Sequence, residues 1–183
     1  MIEPGPGILL IAEPFLKDPN FQRTVVLLCD HQKEGSFGFV INRHFDHKLN
    51  ELMNDMDDLS LPVFYGGPVQ MDSLHFLHQY PEKIPGSYEV QAGIFWGGDF
   101  ETAISLLREG SIKPDKIRFF IGYSGWSGGQ LDMELKEKSW LTVGATRRVV
   151  FHNSASEIWK ESLKLLGGEY EQLINYPTDP SLN

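Results

Sequence analysis

A chain of 183 residues with 41% hydrophobic content can fill the core of one domain, which sets disorder aside. Its 25 acidic against 16 basic side chains leave a net charge of -9, and no basic cluster is denser than the pair Arg147-Arg148, so direct nucleic-acid binding is disfavoured. The one cysteine, Cys29, has no internal disulfide partner, residues 1–7 carry no basic side chain, and the apolar run at 8–12 is too short for a leader or a membrane span; a cytoplasmic protein is the expectation.

In chain order, residues 8–12 and 24–29 are apolar, β-branched stretches bounded by Pro, Asp and Asn, the marks of two strands with a loop at 13–20 between them. The short segment 33–36 leads into a third strand at 37–42, so strands two and three are expected to pair as an antiparallel hairpin. Beyond Asp46 the period becomes helical, with Leu49, Leu52, Met53 and Met56 on one stripe. Short strands are predicted at 62–65 and 73–78 around the turn Gly66-Gly67-Pro68, and a longer one at 88–96. Asp99 as N-cap and Gly110 as a left-handed C-terminal residue delimit a helix at 100–109. A buried strand at 117–123 then enters a glycine-rich turn at 124–129, followed by a helix at 130–138 and strands at 140–144 and 147–151. Ser154 and Glu157 make a capping-box pattern for a last helix, which Gly167-Gly168 stops; the tail at 177–183 lacks periodicity and reads as loosely held. About eight strands and four helices that do not alternate regularly predict a single α+β domain with a mixed, largely antiparallel sheet.

The junction of strand, glycine turn and helix near residue 124 is the first place to seek a site, because free backbone N–H groups gather at such junctions. Gly125-Trp126-Ser127-Gly128-Gly129 matches G-x-S-x-G, the pattern of a nucleophile elbow, with His152 as the only histidine that follows it. The competing reading is a structural turn packed on Trp126. Cys29 lies two positions before His31, which would make it a reactive thiol if the imidazolium sits beside it; a free cysteine ending an apolar strand is otherwise a small buried hydrophobe. His44 with His47, and His75 with His78, are spaced i, i+3, but no HExxH or cysteine ligand set accompanies them, so no metal and no cofactor are expected. Both phosphate-loop fingerprints are absent, and Asp132 and Glu134 would repel an anion at the helix start.

Several segments taken together resemble the YqgE/AlgH family of bacterial proteins: Leu10-Ile11-Ala12-Glu13-Pro14, residues 18–26 (DPNFQRTVV), Gly38-Phe39-Val40-Ile41-Asn42-Arg43, Tyr65-Gly66-Gly67-Pro68-Val69, and Gly122-Tyr123-Ser124-Gly125-Trp126 with Gly129-Gln130-Leu131. The resemblance runs in order from about residue 7 to 167. It implies an α+β domain with a bent sheet, a cytosolic protein and no settled biochemical activity; some relatives are described as transcriptional regulators, a label that implies no DNA-binding domain. The family pattern carries over to Arg23, Asn42, Arg43, Gly66, Gly67, Pro68, Gly125, Trp126, Gly129 and Gln130. Two positions depart from it: His44 stands where relatives usually have proline, and Gly128 stands where many have proline.

The reading that follows is a non-catalytic binding or regulatory protein whose partner is a protein or a small molecule. Its expected functional surface comprises Arg23, Asn42, Arg43, Gly66, Gly67, Pro68, Tyr123, Gly125, Trp126 and Gln130, polar or glycine-rich matches that a core does not require. Arg43 and Gln130 are the expected contacts, and Arg23 either a contact or half of a buried salt bridge. The alternative is a small enzyme, a serine hydrolase using Ser127 and His152 or a thiol enzyme using Cys29.

Overall fold

Nearly continuous apolar runs in the first two strands have a simple cause: both faces of the sheet are covered there. The computed structural model describes residues 1–16, 18, 19 and 21–177. In β1 (Ile8–Ala12) and β2 (Val25–Gln32), Leu9, Ile11, Val25 and Leu27 face a core completed by Ile158, Trp159 and Leu163 of α5 (Ala155–Leu166). Their alternate neighbours Leu10, Ala12, Val26 and Leu28 join Trp126, Trp140 and Leu131 of α3 (Gln130–Lys136) on the other side.

The sheet continues through β3 (Gly35–Val40), β4 (Val63–Tyr65), β5 (Val69–His78), β6 (Tyr88–Gln91), β7 (Ile94–Trp96), β8 (Ile117–Ser127) and β9 (Trp140–Gly144). Among the described residues these nine strands run in the order β6-β7-β5-β8-β3-β2-β1-β9, with β4 also on β8. Every pairing is antiparallel except β4 with β8. The fold class is therefore α+β with a largely antiparallel, curled sheet, as the sequence and the resemblance imply. A second core lies under α2 (Phe100–Glu109), whose Ala103, Ile104 and Leu107 meet Phe76, Ile117 and Phe119.

Strand β8 binds the two parts of the sheet together. Its first half pairs with β4 and β5, and its last four residues pair with β3, from Gly38 opposite Ser124 to Gly35 opposite Ser127. Between them sits Gly122, at φ 67. Opposite it β5 breaks register: Val69 faces Tyr123 and the next partner, Leu74, faces Ile121, so residues 70–73 bulge around one glycine. This is where the sheet bends.

Four expectations are corrected. The predicted glycine turn at 124–129 is strand as far as Ser127, because the ladder to β3 captures it, and the turn is confined to Gly128-Gly129. The predicted strand at 147–151 is a helical turn, α4 (Arg147–Val150): the Thr146 hydroxyl caps the Val149 amide at 3.3 Å, and local capping overrides the β-branched pair Val149-Val150. The helix predicted from the Leu49 stripe is a single turn, α1 (Leu49–Leu52). Asp55 is left-handed at φ 62, and Arg108 holds this loop by bonding the Asp55 carbonyl and the Asp58 carboxylate. The long strand at 88–96 is a hairpin, β6 and β7, turning at Ala92-Gly93. Helix α2 falls where expected, ending on left-handed Gly110, but Asp99 accepts a bond from the Thr102 hydroxyl instead of a backbone amide. Residues 178–183 of the predicted tail lie outside the described residues. No helix among the described residues is long and apolar enough to cross a membrane.

Candidate functional site

Pairing β3 with the end of β8 sets Phe37 directly opposite Gly125. A large ring facing a residue without a side chain leaves room on that side of the sheet, and a cleft of about 690 Å³ opens there. Its walls come from four strands: Phe37 of β3, His75 of β5, Trp96 of β7 and Tyr123 of β8, all half-buried. Consecutive ring centroids around this circuit are 5.0 Å (Phe37 to Trp96), 6.4 Å (Trp96 to His75), 6.0 Å (His75 to Tyr123) and 6.0 Å (Tyr123 to Phe37). Fully buried Phe39 touches three of the four, at 6.1 Å from Phe37, 5.2 Å from His75 and 6.4 Å from Trp96. Asp30, Gln32 and Glu34 from the β2–β3 hairpin line the same cleft, and among the described residues no Lys or Arg does. Burial holds the His75 ring below the usual imidazole range, so it is uncharged at neutral pH.

A second, smaller hollow of about 250 Å³ lies across β8, between Trp126, Trp140, Pro68 and Gln130. Among its lining residues is Glu134, which the sequence marked as a carboxylate that would repel phosphate at the helix start. One carboxylate oxygen accepts from the indole N–H groups of Trp126, at 2.9 Å, and Trp140, at 2.8 Å, while the other accepts from the Gln130 amide at 3.1 Å. Gln130 also receives the Ser127 backbone N–H at 3.1 Å. Helix α3 is thereby bolted to the end of β8.

The expected site residues separate into groups. Tyr123 and Gly125 line the large cleft, Pro68, Gly125 and Gln130 the small one, and Trp126 both. Gly66 and Gly67 are packed against the β8 backbone: a Cβ on Gly66 would meet the Gly122 carbonyl oxygen at 2.4 Å, and one on Gly67 the Tyr123 carbonyl group at 2.2 Å. Asn42 bridges the start of β2, donating to the Arg23 carbonyl at 2.8 Å and accepting from the Val25 amide at 3.0 Å. Arg23 lies over the Trp159 ring, 4.6 Å from its centroid, and donates to the Tyr176 carbonyl at 2.5 Å; it forms no salt bridge with any of the described residues and clamps the C-terminal segment to the body. Arg43 is half-buried, with its carbonyl bonded to the Tyr65 amide, and lines neither cleft. The aromatic walls other than Tyr123 escaped sequence reasoning because they come from strands far apart in the chain. The one local signal was Phe37, three residues after the hairpin turn at 33–34.

The catalytic alternatives lose their geometry. The Ser127 hydroxyl bonds Gln130, whereas His152 belongs to the opposite end of β8: its carbonyl accepts from Arg118, and its Nδ1 accepts from the Ser154 amide at 3.1 Å. Arg118 and Ser127 are nine residues apart on one strand, roughly 30 Å at full extension before the bend shortens it. Cys29 is the extra residue of a bulge in β2, between Leu28 opposite Gly38 and Asp30 opposite Phe37, so the simple i, i+2 relation to His31 is lost. Burial, with repulsion from Asp30, pushes its thiol far up, away from the reactive thiolate. His31 instead sits between Ser36, with Nδ1 to Oγ at 2.6 Å, and Asp132, with Nε2 to Oδ1 at 3.8 Å. Ser36 lies mid-ladder between β2 and β8, where its amide is used by a neighbouring strand, and the trio braces the cleft rim to α3. No group of three His, Cys, Asp or Glu residues among those described is placed to hold a metal ion.

Comparison with known proteins places this architecture. The family model described as AlgH-like matches residues 9–171. A UPF0301 protein of Chlorobium limicola is 44% identical over 178 residues, covering 97% of this chain and 95% of its own, and one of Cytophaga hutchinsonii is 40% identical, covering 97% and 98%. The solution structure of the AlgH protein from Pseudomonas aeruginosa superposes with a TM-score of 0.73 at 28% identity, over 97% of this chain and 98% of that one. A crystal structure from Corynebacterium diphtheriae gives 0.79 at 19% identity, over 96% and 94%, a likeness of fold alone.

Proposed function

The chain belongs to the AlgH-like family, and from that premise we propose that it is a cytoplasmic, non-catalytic binding protein that takes a ligand in the aromatic cleft between β3, β5, β7 and β8. A regulatory role would then be exerted through that ligand or through a partner that senses it. The observation carrying this reading is Gly125. It is a glycine in a strand interior, where a side chain would meet nothing closer than the Tyr123 ring edge at 3.6 Å, so the fold leaves open a space that it could fill. Aromatic walls with a few polar groups at the mouth are the usual make-up of a small-molecule site. The net charge argues against nucleic acid as the partner.

The test is a screen of neutral and charged fragments followed by two-dimensional nitrogen-15 NMR. Ligand-induced shifts are expected at the Trp96 indole N–H and the Gly125 and Tyr123 amides. Fragments that cluster instead around Arg43, or none that shift the cleft at all, would sink the reading. A fluorophosphonate probe is expected to leave Ser127 and Ser36 unlabelled; rapid labelling of either would turn attention to hydrolysis.

A further inference from the structure

Building on the cleft as a ligand site, we infer that its ligand class is a small organic cation, an alkylated ammonium group held by the ring circuit of Phe37, Trp96, His75 and Tyr123 with Asp30 and Glu34 at the mouth. Three features of the site lead there, each independent of the others.

The first is the circuit itself. The four rings close on one another in a circuit with consecutive centroids 5.0 to 6.4 Å apart. A charge seated in or just above this circuit comes within about 6 Å of the ring centroids, the range where a ring face attracts a cation. Phe39 below gives the circuit an apolar floor, which suits methyl groups better than a hydrated ammonium.

Charge is the second. Among the described residues, two carboxylates and no Lys or Arg line the cleft. The Asp30 carboxylate accepts only from the His31 amide at 3.0 Å and the Gln32 side chain at 2.9 Å, so neither bond neutralises it. With His75 held neutral by burial, nothing inside the circuit opposes a positive ligand.

The third is supply of the rings. Phe37, Trp96 and Tyr123 pack one side against the first core and, like His75, stay half-buried, with the rest of each ring turned to the cleft. Half-exposed aromatics on four different strands are costly to leave facing water unless something covers them.

The experiment compares choline with its uncharged carbon isostere, 3,3-dimethylbutan-1-ol, titrated into nitrogen-15 protein while the Trp96 indole and Gly125 amide are followed. Choline is expected to give saturable shifts, with the isostere at least about tenfold weaker. Trp96→Leu and the double change Asp30→Asn with Glu34→Gln should each weaken choline by about three- to tenfold. The second variant keeps every hydrogen-bond acceptor and lies at the surface, so it reports even if Trp96→Leu fails to fold. Equal binding of choline and the isostere overturns the cation, as does the lack of any saturable choline shift. In either case neutral indole or phenol fragments that still shift the same signals leave the cleft standing as a binding site, whereas a cleft silent to all of them removes both readings.

Discussion

Gly122 and Gly125 lie three residues apart on one strand, and they are glycine for different reasons. At Gly122 the backbone is left-handed, and a Cβ would strike the Gly67 carbonyl oxygen at 2.3 Å. At Gly125 a Cβ would first meet the Tyr123 ring edge at 3.6 Å and the Val69 side chain at 3.8 Å, ordinary van der Waals contact. At Gly122 β8 is therefore built by backbone against backbone and leaves no room for a side chain. The second half has slack facing a cleft. A glycine motif read from sequence mixes these two kinds, and only the three-dimensional neighbours separate them.

The strongest break of this contrast is Gly122→Ala. The change combines a forced positive φ with a clash against main chain that cannot swing aside, so a loss of about 4 kcal/mol or more is expected, much of the stability of an ordinary domain. Urea unfolding monitored by circular dichroism measures it; a loss below about 1 kcal/mol would show that the bend between the half-sheets is not locked here.

Glu134→Leu should come next, at about 2 kcal/mol, because two indole N–H groups lose their shared acceptor while solvent reaches part of the gap. Glu134→Gln, which keeps an oxygen to offer, should recover about half of that loss or more. Equal losses for the two would mean that the carboxylate charge, not the acceptor, holds α3 to β8.

A smaller effect tests the sheet on the far side of the bend. His78 is fully buried on β5, bonded to the Gly97 carbonyl at 2.9 Å and to the Tyr80 amide at 3.0 Å, and burial holds its pKa below the ordinary histidine value. Below about pH 6.5 the unfolded chain binds a proton that the native one refuses, so stability is full above that pH and falls as pH drops toward the lowered native value. His75 acts in the same direction. The carboxylates of Asp58 and Glu161, lowered by bonds to Arg108 and Lys164, lose their contribution only in the more acid carboxylate range, so the two windows separate. Melting curves at pH 7.5 and 5.5 should differ by a few degrees for a change of about 1 kcal/mol, and His78→Gln should flatten the slope.

What could be read from sequence follows the same division. Strands β1 and β9 and helices α2 and α5 were legible because period, β-branching and the C-terminal glycines Gly110 and Gly167 agreed with the final packing, although neither Asp99 nor Ser154 makes the side-chain cap expected of it. The one-turn helices were not: a Thr146 cap outweighs Val149-Val150, and an Arg108 fifty residues away holds the loop after α1. The glycine run was misread as a turn because its partner, β3, is nearly ninety residues upstream, a pairing no local pattern announces. Of the site, Tyr123, Gly125 and Trp126 were legible from their junction, while Phe37, His75 and Trp96 meet only when four strands do.

The smallest expected effect on stability is the sharpest test. Gly125→Ala needs no left-handed backbone and no displaced main chain, and alanine loses less chain entropy than glycine in a strand, so stability should stay within about 0.5 kcal/mol. Its methyl, however, would enter the cleft beside Tyr123 and Val69, and choline-induced shifts at Trp96 should weaken by about fivefold, with Gly125→Leu abolishing them. A stability loss as large as that of Gly122→Ala would erase the distinction between the two halves of β8. A stable Gly125→Ala variant with undiminished binding would keep that distinction but remove the cleft as its purpose, because a glycine whose missing side chain matters to neither fold nor ligand has no role in this surface.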